Sequence, residues 1–202
     1  MAAGRPRAGR SRRSVGVQIV CIHGAGESTA IWRAQVESLE GVTAINLPGH
    51  GDRAGSGHDA VDDYAGWLSE NLDPRDPLIL AGHSLGGAVA LHLALQRPPP
   101  RWLAGLILIA TGARLRVHSR ILNLLETDFE AAISLLCEWE VGDTIGGQVT
   151  GVVAAALRQA GPEVTRGDFL AADAFDVMNQ LDRIQLPAVA VAGSDDRMTP
   201  LK

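Results

Sequence analysis

Ser84 stands at the centre of Gly82-His83-Ser84-Leu85-Gly86, a G-x-S-x-G segment with an apolar run before it and residues rich in Ala and Leu after it. That pattern suits a nucleophilic hydroxyl. A strand that turns sharply into a helix crowds its own backbone, and only small residues two positions either side of the serine avoid the clash. The turn lifts the Ser84 hydroxyl clear of the sheet. It also points the Leu85 N–H outward at a helix start, where the helix dipole helps it stabilise an oxyanion. The chemistry served would be acyl transfer, in which Ser84 attacks a carbonyl carbon. The competing reading is a serine N-cap in an ordinary strand–helix turn.

Three further segments stand in order around this one: His23-Gly24-Ala25-Gly26, Leu47-Pro48-Gly49-His50-Gly51, and Gly193-Ser194-Asp195-Asp196-Arg197-Met198-Thr199-Pro200. With them the chain from about residue 17 to 200 resembles the α/β-hydrolase superfamily, specifically its small capped serine esterases and lactonases. The resemblance implies that the Ala25 backbone N–H is the other oxyanion donor. His23, Gly24 and Gly26 would shape that loop, and Gly82, His83 and Gly86 the turn at the nucleophile. His50 takes a structural role. Asp196 is the implied triad acid, with Asp195 as the alternative; such a carboxylate holds a histidine in the right tautomer. A nucleotide-type glycine loop at His23 is disfavoured, because G-x-G-x-x-G is absent.

The order implied by the resemblance is serine, acid, histidine. All six histidines (His23, His50, His58, His83, His92 and His118) precede Asp196, and six residues follow it. The chain therefore reads as C-terminally truncated. Serine without a base is a poor nucleophile, so the competence of the 202-residue chain is left open. The expected function is a serine hydrolase of carboxylic esters, lactones or thioesters, working through an acyl-enzyme at Ser84. The alternatives are a non-catalytic ligand-binding protein of the same fold, or a fragment.

The elements that must position these residues follow from hydrophobic patterning. Apolar runs at 17–22, 42–47, 78–81, 103–110 and 187–192 read as short strands. Helical patterns lie between them at 30–39, with Ser28 or Thr29 as cap candidates, and at 61–72, 88–96 and 174–181. Alternating strands and helices imply an α/β fold, with an open, mostly parallel sheet covered by helices on both faces. Relative to the full superfamily fold it is incomplete, with one edge uncovered. Ligands bind such sheets at the carboxyl ends of the strands, and His23, Ser84 and Asp196 all fall just past such ends.

From about 111 to 173 the alternation breaks into helical stretches at 121–125, 129–140 and 149–159. By the resemblance this is a helical cap. Leu124, Leu125, Leu135, Leu136, Trp139 and Phe169 are candidates for an acyl pocket, each also explained by packing within the cap. Arg114 and Arg116 could meet an anionic substrate at its entrance.

Composition bounds the rest. The chain is globular, at 46% hydrophobic and 20% charged residues. A net charge of -5 gives no hint of nucleic-acid binding. Cys21 and Cys137 suggest neither a disulfide framework nor a metal site, which fits a reducing cytoplasm. No apolar run reaches the length of a membrane span. Residues 1–16 read as a disordered Arg-rich tail ahead of one domain at 17–202. The expected partner is a small ester-type molecule, with no nucleic acid, no membrane, no metal and no cofactor. Oligomeric state is not legible.

Overall fold

The apolar runs form one five-stranded parallel sheet. The computed structural model describes residues 17–72, 74–140, 147–194 and 196–200. In it, β1 (Gln18–Ile22), β2 (Val42–Ile45), β3 (Leu78–His83), β4 (Leu103–Ile109) and β5 (Ala188–Val191) stand in the order β2-β1-β3-β4-β5. Every neighbouring pair is parallel. The 1–16 tail and Lys202 lie outside the described residues.

This strand order places the site. The chain steps outward from β1 to β2, then crosses back so that β3 pairs with the other side of β1. The order reverses there, and a crevice opens outside the strand ends. Ile22 is in register with Gly82, so the segments beginning at His23 and Ser84 leave the sheet side by side.

The helix expected at 30–39 is split. Ser28 caps a 3₁₀ turn (Thr29–Trp32), accepting from the Ala30 N–H at 3.4 Å, and α1 (Arg33–Ser38) follows. Trp32 is buried beside Cys21, Val42 and Ala81, as a packing residue.

Two further helices behind the sheet hold β3 in place. The helix α2 (Val61–Asn71) buries Tyr64, Ala65 and Leu68, and its Asp62 and Asp63 suit the positive end of the helix dipole. The helix α3 (Leu85–Leu95) buries every residue except His92, which reaches Asp62 of α2 at 2.8 Å. A helix apolar all round belongs in the interior. Each fully buried leucine of α3 contributes about 1.5–3 kcal/mol.

A helical insertion separates β4 from β5: α4 (Ser119–Thr127), α5 (Phe129–Glu140) and α6 (Gly147–Ala174). Residues 141–146 within it are outside the described set. Gly161 breaks α6 at φ 81°, ψ 171°, and Pro162 follows, in a place where a missing N–H costs nothing. The helix expected at 174–181 is not formed. Instead the Leu115 N–H donates to the Phe175 carbonyl at 3.2 Å and the Val177 N–H to the Ala113 carbonyl at 2.7 Å. These cross-chain bonds bury Phe175 and Val177 and leave only a 3₁₀ turn, Met178–Arg183.

Among the described residues β5 pairs with β4 alone, and Val189 and Val191 on it are 58% and 49% exposed. Among the described residues no helix is long and apolar enough to cross a membrane.

Candidate active site

The turn after β3 has the strain that its glycines foretell. Ser84 adopts φ 48°, ψ -115°, and its side chain makes no capping bond, which removes the N-cap reading. A Cβ on Gly82 would lie 2.3 Å from the Gly86 carbonyl oxygen, and one on Gly86 would lie 2.5 Å from that of Ile22. Both contacts are with backbone, so neither position admits a larger residue without moving a strand or the helix. The Ser84 N–H donates to the Ile109 carbonyl at 3.0 Å. Its own carbonyl accepts from Gly87, Ala88 and the Thr111 hydroxyl. These bonds hold the strained residue in place. The Leu85 N–H opens α3, among the amides a helix leaves without an internal partner.

Facing this turn is the 23–26 loop. A Cβ on Gly24 would sit 3.2 Å from the Ser84 Cβ, so only a glycine lets the loop run this close to the serine. The loop's amides are sorted by two buried carboxylates. The Gly24 N–H donates to Glu27 Oε2 at 2.6 Å, and the Gly26 N–H to Asp168 Oδ2 at 2.7 Å. The Ala25 N–H between them has no acceptor among the described residues.

His23 is fully buried. Its Nδ1 donates to the Gly24 carbonyl at 2.8 Å, and its Nε2 accepts the Leu47 N–H at 3.1 Å. Both ring nitrogens are used by the neutral tautomer. Burial, with His50 nearby, lowers its pKa to about 4. It ties the loop after β1 to the loop after β2.

His50 is the opposite case. Its Nδ1 faces the Pro48 carbonyl at 2.9 Å and its Nε2 faces Asp168 Oδ2 at 2.7 Å, so both nitrogens must donate. Burial disfavours the charge, but the hydrogen bond and charge of Asp168 outweigh it and raise the pKa. The Tyr64 hydroxyl donates to the other Asp168 oxygen and accepts the His58 N–H at 2.9 Å. Burial and Asp168 push that phenol's pKa far up.

His83 pairs with Glu27, Nδ1 to Oε2, at 2.8 Å. Burial opposes its charge, yet Glu27 above all, with Glu140 and Asp196, lifts its pKa to about 9. Glu27 is held below the usual carboxylate range: burial resists, but His83 and the Gly24 N–H prevail. Glu140, at the end of α5, contributes a third carboxyl. Its Oε2 is buried with no hydrogen-bond partner among the described residues, and burial beside Glu27 raises its pKa to about 8.

Asp196 lies in the turn after β5. Its Oδ1 accepts the Met198 and Thr199 N–H groups at 2.9 and 2.7 Å, and its Oδ2 the Thr199 hydroxyl at 2.6 Å. It is close enough to His83 and Glu140 to act on the charge of both. Asp195, the alternative acid, is outside the described residues. Among the described residues no imidazole is hydrogen-bonded to Asp196. His92 pairs with Asp62, His118 caps α4, and the His58 ring packs against Tyr64 at 4.9 Å.

Ser84, Leu85, Ala25 and their glycines meet where β1 and β3 end. Arg114 and Arg116, the candidates for an anionic substrate, are engaged with Asp176 at 3.8 and 3.3 Å. Leu125, Leu135, Leu136 and Phe169 are buried in the main core, with Leu124 and Trp139 half-buried against it. Sequence reasoning missed Glu27, Tyr64, Glu140 and Asp168. Asp168 left a trace: it lies on the apolar face of α6, spaced with Val164, Ala171 and Ala172, where a charge is out of place without a partner.

Residues 19–202 match the model of the Alpha/beta hydrolase family. The chain is similar to the pimeloyl-[acyl-carrier protein] methyl ester esterase of Neisseria meningitidis serogroup A, at 26% identity over 91% of this chain and 63% of that protein. With the same enzyme from serogroup C the identity is 26%, over 97% of this chain and 82% of the relative. Among solved structures, a thermophilic esterase superposes with a TM-score of 0.81 at 31% identity, covering 93% of this chain and 74% of the other. The chain thus spans less than two thirds of the serogroup A relative's length.

Proposed function

The chain belongs to the alpha/beta hydrolase family, and from that premise we propose that it is a serine hydrolase of carboxylic esters, lactones or thioesters with Ser84 as nucleophile. The observation that carries the reading is the pairing of the strained Ser84 backbone with the unengaged Ala25 N–H across the Gly24 contact. A serine held at φ 48° whose side chain makes no capping bond is strained without a structural return from its hydroxyl. An amide left open between two amides claimed by carboxylates is a donor kept for a ligand.

In this reading the Ser84 oxygen attacks the carbonyl carbon. Negative charge develops on the carbonyl oxygen, and the Ala25 and Leu85 N–H groups receive it. The proton of Ser84 needs an imidazole oriented by Asp196, a base that none of the described histidines provides in this position; such a base would return it to the leaving alcohol or thiol as the acyl-enzyme forms. Water then repeats the sequence in reverse and frees the acid. Asp196 is suited to the orienting role because the Thr199 contacts fix its carboxylate. No metal or organic cofactor enters these steps. The α4–α6 insertion acts as the cap, with Leu124 and Trp139, half-buried against the core, as candidates for an acyl pocket. The pimeloyl ester esterases among the similar proteins favour an ester of a linear acyl chain.

One observation favours a second reading, a ligand-binding protein with the same pocket: none of the described imidazoles is hydrogen-bonded to Asp196. Hydrolysis of p-nitrophenyl butyrate by the 202-residue chain, beside Ser84→Ala, separates the two. Turnover well above the variant, with fluorophosphonate labelling at Ser84, supports the hydrolase. Turnover and labelling of both proteins at the blank level, with cooperative melting, removes that reading for this chain and leaves the binding protein.

A further inference from the structure

We propose that Asp168, carried by the insertion, is the positioning residue of the oxyanion loop. The proposal rests on the hydrolase reading above and deepens it. Asp168 is fully buried and accepts three hydrogen bonds from three separate parts of the core: the Gly26 N–H at 2.7 Å, His50 Nε2 at 2.7 Å and the Tyr64 hydroxyl. Gly26 immediately follows Ala25. Its φ is 67°, and a Cβ there would collide with Leu157 at 2.4 Å and approach Thr165 at 3.0 Å, both on α6. The loop is therefore pressed against α6 as well as bonded to it.

The consequence concerns the direction of the Ala25 N–H. The Gly24 side of the loop is fixed by Glu27, which sits in the same turn and travels with it. The Gly26 N–H is bonded from 142 residues away, by a carboxylate on the insertion. Without that acceptor the peptide unit carrying the Gly26 N–H is free to rotate, and the adjoining Ala25 amide loses its aim. Seating of the insertion on the core and assembly of the oxyanion site are thus one event. A charge-assisted acceptor suits this use, since such bonds are shorter and stronger than neutral ones.

The test compares Asp168→Ala, Asp168→Asn and Val153→Ala with the wild type in p-nitrophenyl butyrate hydrolysis and amide exchange. Val153 is buried on α6 one turn before Leu157 and has no bond to Asp168, so Val153→Ala controls for general loosening of the helix. For Asp168→Ala the expected result is a kcat loss of about 100-fold, with KM within about twofold. Asp168→Asn, whose side-chain oxygen still accepts from Gly26, recovers part of it, and Val153→Ala keeps the wild-type kcat. In the wild type the Gly26 amide exchanges at least ~100-fold slower than that of Ala25, and Asp168→Ala erases the difference. The inference is overturned by a folded Asp168→Ala with wild-type kcat, or by an equal loss in Val153→Ala. Should the wild type itself turn over no faster than Ser84→Ala, the hydrolase reading fails. The exchange data then decide alone, and equal exchange at Gly26 and Ala25 overturns the positioning role. Those wild-type data also decide if Asp168→Ala does not fold.

Discussion

Glu27 Oε2 lies 2.8 Å from His83 Nδ1 while accepting the Gly24 N–H at 2.6 Å. One carboxylate oxygen therefore joins the residue before Ser84 to the residue before Ala25. The two partners titrate in opposite directions. The His83 pKa is raised from 6.5 to about 9, so its share of the stability is complete below pH 6.5 and is lost as pH rises through about 9. The Glu27 pKa is lowered from 4.5, so its share is present above that pH and lost on acidification. The pair is strongest between these limits. Glu27→Gln is expected to lower the unfolding free energy by about 3 kcal/mol at pH 6.5 and to remove most of the decline between pH 6.5 and 9. Urea unfolding of both proteins at the two pH values measures this. An unchanged slope in the variant would show that the pair is not the titrating unit.

The glycines of the chain separate into those that carry the site and those that do not. Gly86→Ala places a Cβ 2.5 Å from the Ile22 carbonyl and 2.6 Å from that of His23. Backbone must move, and with it the start of the 23–26 loop, so a loss of at least about 2 kcal/mol is expected, with loss of turnover. Gly66 lies on the exposed face of α2, and a Cβ there would meet nothing within 4 Å. Gly66→Ala is expected to gain about 0.5–1 kcal/mol, through helix propensity and a less flexible unfolded chain. Thermal melts of the two variants should move in opposite directions. A shared direction contradicts the packing argument at one of the two positions.

The Ser84 turn is legible in the sequence because its constraint is local: two glycines two residues from a serine, after an apolar run, describe a backbone collision that any fold must avoid. The parallel sheet is legible for a similar reason, since each strand carries its own apolar run. Asp168 is not legible. Its partners Gly26, His50 and Tyr64 lie 142, 118 and 104 residues away, and no pattern within one helix says which distant donors will meet it. The 174–181 stretch departs from its expected helix by the same logic. Its composition favours a helix, but the cross-chain bonds from Ala113 and Leu115 to residues 175–177 win. His23 and His50 look alike in sequence, each beside glycine in a loop. Their opposite charge states come from the Leu47 N–H facing one ring and Asp168 facing the other.

That contrast can be read directly by titration. His23 accepts the Leu47 N–H through Nε2 and is fully buried, so protonation would break the bond and strand a charge. Its pKa falls from 6.5 to about 4. The sign follows: the unfolded chain takes up the proton first, so stability is full above pH 6.5 and drains as pH falls through about 4. At 1.36 kcal/mol per pKa unit the loss amounts to about 3 kcal/mol. The His23 ring resonance should stay flat from pH 8 to about 5, while urea midpoints decline below pH 6.5. A ring midpoint near 6.5 would mean that the loop after β2 does not hold this imidazole as described.

Ser84 itself gives the sharpest test of whether the site is maintained against stability. At φ 48°, ψ -115° a side chain is strained whatever surrounds it, and the hydroxyl makes no capping bond that offsets the strain among the described residues. Glycine adopts that conformation without a Cβ penalty. Ser84→Gly should therefore relieve about 1–3 kcal/mol of strain, less about 0.5–1 kcal/mol for the more flexible unfolded chain. Ser84→Ala keeps the Cβ and should leave stability almost unchanged. Both lack the Ser84 hydroxyl, the proposed nucleophile, and should be inactive. A net gain of about 1 kcal/mol for the glycine variant over the alanine variant in urea unfolding would show that the strain belongs to the reaction and not to the fold. Equal stabilities would mean that the bonds to Ile109, Gly87 and Thr111 impose this backbone at no cost, and the argument from strain to nucleophile would lose its footing.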